Sequence, residues 1–385
     1  MSSPTTLPSA LHDRSAVVDV LRGVAITLVL LLHFSLTYRL SDSPLAGLVG
    51  KDGVRTLVNN GNYGVTMFFV VSGFLITSTA LARYGRLGAI DRAEFLRYRA
   101  ARILPSLLLV VAIIVALGLL GAHSFTNEID HQPLPPIWFV WGAGTVLTFT
   151  HNLLMQSAGY FNYCLNIYWS LSVEEVFYLG FPLLCVAARR DALVVGFAIA
   201  LIVAGPVYRH THADDELYFM YGYAACFDAI AFGVLTALLA ARLEPPRRAG
   251  VLALLSAGAL AWAYLRGIGD HEVFGFTQVA LAAAALLFFS AAGAGRSFAS
   301  ARVLAPLRWA GRHSYELYLF HIVVLAILRD AVPRNQLGYA FKLPWLAVFI
   351  ALSALVAAVV ARCVSEPANA ALRRRGALIQ LRSDP

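Results

Sequence analysis

The sequence predicts an all-α integral membrane protein, a polytopic helical bundle of about ten transmembrane helices with both termini on the cytoplasmic side. Three observations carry that prediction. The 385 residues are 59% hydrophobic and only 14% charged, with a mean hydropathy of +0.69, a balance found in polytopic membrane proteins rather than in soluble ones. Apolar runs long enough to cross about 30 Å of hydrocarbon as helices recur along the whole chain. The formal charge of +8 sits in arginines between those runs, which suits topology and inner-leaflet lipid better than a nucleic-acid surface.

The first run, Val17 to Tyr38, is mostly apolar yet carries Asp19, Arg22 and His33. Arg22 and His33 are 11 residues apart, close to three helical turns, so they share a face about 16 Å apart along the axis. Both are costly in lipid, so that face should point into protein or a wet cavity. The plainer alternative is an arginine snorkelling to the interface and a hydrogen-bonded core histidine. The preceding residues lack the basic region, short apolar run and small-residue cleavage site of a signal peptide, so the first span is expected to stay. Residues 1–16 read as a cytoplasmic N-terminal segment, 17–365 as one membrane domain and 366–385 as a basic cytoplasmic tail.

A polar loop leads to the second span, residues 63–82, whose glycines and serines allow close helix contact. Next comes the most basic loop, from Arg83 to Arg102, and a third span, residues 103–121, with Pro105 expected in its first turn. Eight further apolar runs lie at about 137–155, 168–187, 192–208, 221–241, 250–265, 274–292, 315–329 and 344–361. The run at 137–155 is the weakest, holding two glycines, several threonines and a histidine. Read as re-entrant, it leaves ten spans, with 21 of the 30 Lys and Arg residues on the side of the termini and eight opposite. The positive-inside rule therefore selects ten spans. Cys164, Cys185, Cys226 and Cys363 show no metal-type spacing, and no disulfide framework is expected.

This topology places Glu174 and Glu175, in the run starting at Trp169, in the outer part of an inward-running helix, within reach of His33. Arg22, Arg99 and Arg102 lie toward the cytoplasm. Two layers are expected, one cationic and one of histidine with glutamate. A histidine beside a carboxylate can take a proton from a hydroxyl near neutral pH, and the same pair serves as a proton relay in transporters or as a structural contact. Arg99 and Arg102, at i and i+3 on one helix face, suit phosphate, and they equally suit a topology anchor. His321, with Tyr315, Glu316 and Tyr318 nearby, reads as a cavity-lining or packing residue, and Asp228 reads similarly.

Six stretches, in order and spanning nearly the whole chain, resemble the membrane-bound acyltransferase-3 family: Asp19-x-x-Arg22-Gly23 with His33, GVTMFFVVSGFLI at 64–76, FLRYRAARILP at 95–105, WSLSVEEVFYLGFPLL at 169–184, SYELYLFH at 314–321 and VSEP at 364–367. The arginine that usually precedes the aspartate of the seventh segment is not present near Cys226 to Asp228. The resemblance implies transfer of an acyl group, usually acetyl, from cytosolic acyl-CoA to a hydroxyl of a carbohydrate or glycolipid acceptor, in the bacterial inner membrane and without a metal. It implies functional roles for Arg22, His33, Arg99, Arg102 and Glu174. The expected reaction has Arg22, Arg99 and Arg102 holding the donor and His33, oriented by Glu174 or Glu175, deprotonating the acceptor, directly or through an acyl-histidine. A proton-coupled secondary transporter is the competing class, against which stands the absence of an inverted repeat.

Overall fold

The structure, a computed structural model, describes residues 15–372 apart from 245, 292 and 294. Arg14, Arg373, Arg374, Arg375 and Arg382, and with them most of the expected terminal segments, lie outside the described residues. The described chain is helical almost throughout. It opens with α1 Ala16–Tyr38, α2 Ala46–Val58, α3 Asn62–Tyr84, α4 Arg92–Leu119, α5 Ile137–Leu147, α6 His151–Ala158, α7 Trp169–Ala188 and α8 Asp191–Thr211. It continues with α9 Glu216–Phe219, α10 Tyr223–Ala240, α11 Ala249–Arg266, α12 Gly275–Ser290, α13 Arg296–Ala299, α14 Ala305–Arg312, α15 Ser314–Ala331 and α16 Lys342–Val360. A π-helical turn, Ala361–Ser365, extends α16. The one ribbon among the described residues pairs β1 Glu128–Ile129 with β2 Gln132–Pro133.

Eight of these helical stretches are long and apolar enough to cross a membrane, those containing α1, α3, α4, α7, α8, α10, α11 and α16. Two predicted spans fall outside that set for local reasons. α12 has only 16 residues, and α15 carries Glu316, Arg329 and Asp330 within its 18. The weak run at 137–155 is two short helices, α5 and α6, separated at Phe149, whose φ of 59° puts a bulky residue in the left-handed region and breaks the helix.

Two local expectations are corrected. The basic loop is shorter than predicted, because α4 starts at Arg92. The carboxylate of Asp91 caps it by accepting from the Glu94 N–H at 3.0 Å, which places Arg92, Arg97, Arg99 and Arg102 on the helix. Pro105 consequently lies in the helix interior rather than in the first turn.

The described residues divide into two compact units. The first lies within residues 15–29, 59–90 and 183–312. Here α3 and α10 cross at paired glycines: a Cβ on Gly73 would lie 2.0 Å from the Ile230 carbonyl oxygen, and one on Gly233 2.0 Å from that of Val70. Backbone contact this close suits a medium in which helices associate by van der Waals packing. The start of α1 crosses α14 in the same manner, with Gly23 against the Leu307 carbonyl and Gly311 against that of Asp19.

Arg209, one of the eight cations that the span count puts on the side opposite the termini, is a fully buried residue of α8. Its Nη2 lies 2.6 Å from Asp228 Oδ2 on α10 and 2.6 Å from Thr277 Oγ1 on α12, and its Nε donates to Val273 O at 2.8 Å. The arginine that the motif lacks beside Asp228 thus arrives from another helix, which explains how a buried carboxylate is kept satisfied.

The second unit lies within residues 30–58, 91–182 and 313–372. It holds the end of α1, most of α7, and α4, α15 and α16. Side chains from one helix bond backbone carbonyls of another throughout: Tyr38 Oη donates to Val332 O at 3.0 Å, Tyr168 Oη to Leu319 O at 2.8 Å and Tyr315 Oη to Ile103 O at 2.8 Å. Such bonds fix the heights of α1, α4, α7 and α15 within this unit.

Candidate active site

Within the second unit, the heights of the helices decide what the polar side chains can meet. The Tyr318 hydroxyl donates to Ile167 O at 2.6 Å, just before α7, and the Tyr168 hydroxyl returns a bond to Leu319 O. The first residue of α7 therefore lies level with Tyr318 and Leu319, about one and a half turns into α15. Running on from there, α7 brings Glu174 and Glu175 against Arg99. Arg99 Nη2 sits 3.0 Å from Glu174 Oε1 and 3.2 Å from Glu175 Oε1. The cluster thus draws its cation from α4 and both carboxylates from α7.

The Arg99 guanidinium is held on a third side by Tyr178, its Cζ lying 3.4 Å from the ring centroid, in a cation–π contact. The Tyr178 hydroxyl donates to Glu174 Oε1 at 2.7 Å. Glu175 is buried and Glu174 half-buried. Two carboxylates 100° apart on a helix thus converge on one cation, and one arm of the arginine serves both. Its Nε is buried and has no partner among the described residues, so one N–H remains for a ligand. Arg102, one helical turn further, is exposed, and among the described residues no hydrogen bond or ion pair occupies it. A donor molecule rich in phosphate fits these two groups: an exposed arginine fork and a spare buried N–H beside it.

His33, on α1, is half-buried. Its Nδ1 lies 3.1 Å from Nε2 of His321 on α15, and the two rings sit 5.0 Å apart, tilted by 50°. His33 is anchored from its backbone as well, because Thr37 Oγ1 donates to the His33 carbonyl at 2.9 Å and in turn accepts from Tyr163 Oη at 2.6 Å. Beneath the histidines, the single proton of Tyr318 goes to Ile167 O, so Ser170 Oγ donates to the Tyr318 oxygen, at 2.5 Å. Tyr315 and His321 are six residues apart on α15, so the carboxylate–arginine cluster and the histidine pair are separated by about 9 Å along that helix.

Arg22 belongs to the first unit, where it is buried at the start of α1. In that unit the neighbouring Asp19 faces Arg312 at 3.9 Å, and Gly23 is the crossing point with α14. The first of the functional stretches thus contains a residue whose task is packing, Gly23, which meets α14 where Gly311 meets α1. His321 gains a definite partner from the structure, which its sequence neighbourhood alone did not supply.

Residues 16–363, which take in all sixteen helices, match the acyltransferase domain of the acyltransferase-3 family. The O-acetyltransferase OatA of Staphylococcus aureus strain NCTC 8325 / PS 47 is 25% identical over 369 residues, covering 86% of this chain and 58% of the relative. OatA of strain COL matches to the same extent. The chain thus spans 58% of the length of these relatives. No solved structure matches it. Helices that cross at glycine pairs, carboxylates gathered on Arg99, a histidine pair on α1 and α15 and a match from α1 to α16 agree: the chain belongs to the acyltransferase-3 family, a family of integral membrane proteins.

Proposed function

We propose that the protein is a membrane O-acyltransferase that moves an acyl group, acetyl by preference, from cytosolic acyl-CoA to a hydroxyl of a carbohydrate or glycolipid acceptor at the bacterial inner membrane. The observation that carries the reading is His33, half-buried and held at Nδ1 by His321, in the same unit as the Arg99–Glu174–Glu175 cluster and the exposed Arg102. In the proposed reaction His33 takes the acceptor hydroxyl's proton while that oxygen attacks the thioester carbonyl. The tetrahedral intermediate then expels the CoA thiolate, which takes the proton from the imidazolium and leaves as thiol.

Arg102 is assigned to the donor's phosphates, and Arg99, through its spare Nε–H, to a donor oxygen. Glu174 and Glu175 fix Arg99 rather than hold a proton in flight. Donor binding by Arg22 is a separate proposal that rests on the sequence resemblance. The similarity to O-acetyltransferases supports O-acetyl transfer over the transporter reading, in which the same histidine would relay protons.

The test is release of free thiol from acetyl-CoA by purified protein on addition of candidate glycans. Wild-type protein should show glycan-dependent release, and His33→Ala should lower it by about two to four powers of ten with the folded yield kept. Unchanged turnover in His33→Ala would remove His33 from the reaction.

A further inference from the structure

His321 is fully buried, and its hydrogen bonds leave little freedom in where its proton sits. Nδ1 lies 2.8 Å from Tyr318 O and 3.0 Å from Leu317 O. Carbonyl oxygens only accept, so Nδ1 carries a hydrogen. Among the described residues the ring has no carboxylate partner, and a second proton would place an uncompensated charge in a buried site. Nε2 is therefore a lone pair, and it points at His33 Nδ1, 3.1 Å away. A contact between two ring nitrogens needs one donor, and here only His33 can supply it.

We infer that His321 is a positioning residue that locks His33 in its Nδ1–H tautomer and so leaves the His33 Nε2 lone pair as the proton acceptor. This rests on the reading of His33 as general base and adds to it the residue that selects the base's reactive nitrogen. In familiar base-catalytic sites a carboxylate or carbonyl does this work by accepting from the histidine. Here a neutral imidazole does, itself fixed by the backbone of its own helix.

The test compares His321→Gln, whose amide oxygen reaches the position of the imidazole Nε2, with His321→Asn, which is one atom too short. Full-length protein with 15N-labelled histidine is placed in lipid nanodiscs at pH 8, where an ordinary imidazole is neutral. The His33 ring resonances are assigned by their loss in His33→Ala. Wild type and His321→Gln should show His33 protonated at Nδ1, and His321→Asn should shift it toward the Nε2–H form. With water as acceptor, hydrolysis of acetyl-CoA by His321→Asn should fall about 10- to 100-fold in kcat with KM for acetyl-CoA unchanged, and His321→Gln should recover most of it.

A wild-type His33 protonated at Nε2 would overturn the inference, as would an Nδ1–H tautomer that survives in His321→Asn. If His321→Asn does not fold, the wild-type and His321→Gln spectra still decide. A tautomer that responds as stated, with His33→Ala retaining full turnover, would sink the general-base reading while leaving the positioning contact intact.

Discussion

Arg99 and Arg102 lie one helical turn apart with the same charge, yet their surroundings assign them different work. Arg99 is clasped by Glu174, Glu175 and the Tyr178 ring, whereas Arg102 is exposed. A lysine at 102 keeps the charge and loses the fork. Arg102→Lys should therefore raise KM for acyl-CoA several-fold with a smaller change in kcat, as for a contact made equally in ground and transition states. A lysine at 99 cannot serve both carboxylates and the ring face in one geometry, so Arg99→Lys should lower both kcat and the melting temperature in detergent. Donor-dependence curves for the two variants, run beside thermal melts, check this split. Identical behaviour of the two would return both arginines to a common role.

At the scale of elements, the close crossing of α3 and α10 has a simple test. A methyl at Gly73 would meet the Ile230 carbonyl at 2.0 Å, a backbone obstacle that cannot rotate away. Overpacking of this kind costs about 1–3 kcal/mol or more, so Gly73→Ala should lower the melting temperature by several degrees. Gly180→Ala, inside α7 where nothing lies within 4 Å, is the control and should keep or slightly raise it, because Ala favours a helix over Gly. Thermal unfolding followed by tryptophan fluorescence reads both.

Most helices were legible from hydropathy because burial in lipid overrides weak propensities. The start of α4 was not, since its arginines resembled a solvated loop. The readable signal was Asp91-x-x-Glu94, an N-cap pattern. The Arg209–Asp228 pair was hidden for another reason: its two halves are 19 residues apart on different helices, and only packing joins them. His33 and His321 were both visible as histidines in apolar helices. Their 288-residue separation made the pair invisible until α1 and α15 were placed.

For the whole molecule, the arginine distribution implies sidedness. Single cysteines in a background lacking the four native ones should label from outside at Thr211 to Glu216 and at Pro333 to Lys342. Those at Arg86 to Arg92 should react only after permeabilisation. Outside labelling of Arg86 to Arg92 would overturn the ten-span arrangement. The candidate site was legible as a set of residues but not as a geometry. The sequence put the glutamates within reach of His33 and did not name their cation; the contact with Arg99 joins α7 to α4, which only packing brings together.

The buried pair on α8 and α10 has a consequence for biogenesis. A ribosome emits Arg209 before Asp228, so α8 reaches the translocon ahead of the carboxylate that neutralises it. An unpaired arginine in a membrane helix costs up to about 2.5–3.5 kcal/mol at mid-bilayer, and α8 should be a poor inserter when synthesised alone. Chains truncated after Gly222 should leave α8 incompletely inserted in a microsomal glycosylation assay, and chains extended through Ala240 should rescue it. Asp228→Leu in the longer chain should abolish the rescue. Full insertion of the truncated chain would mean that Arg209 reaches the lipid headgroups until its partner arrives.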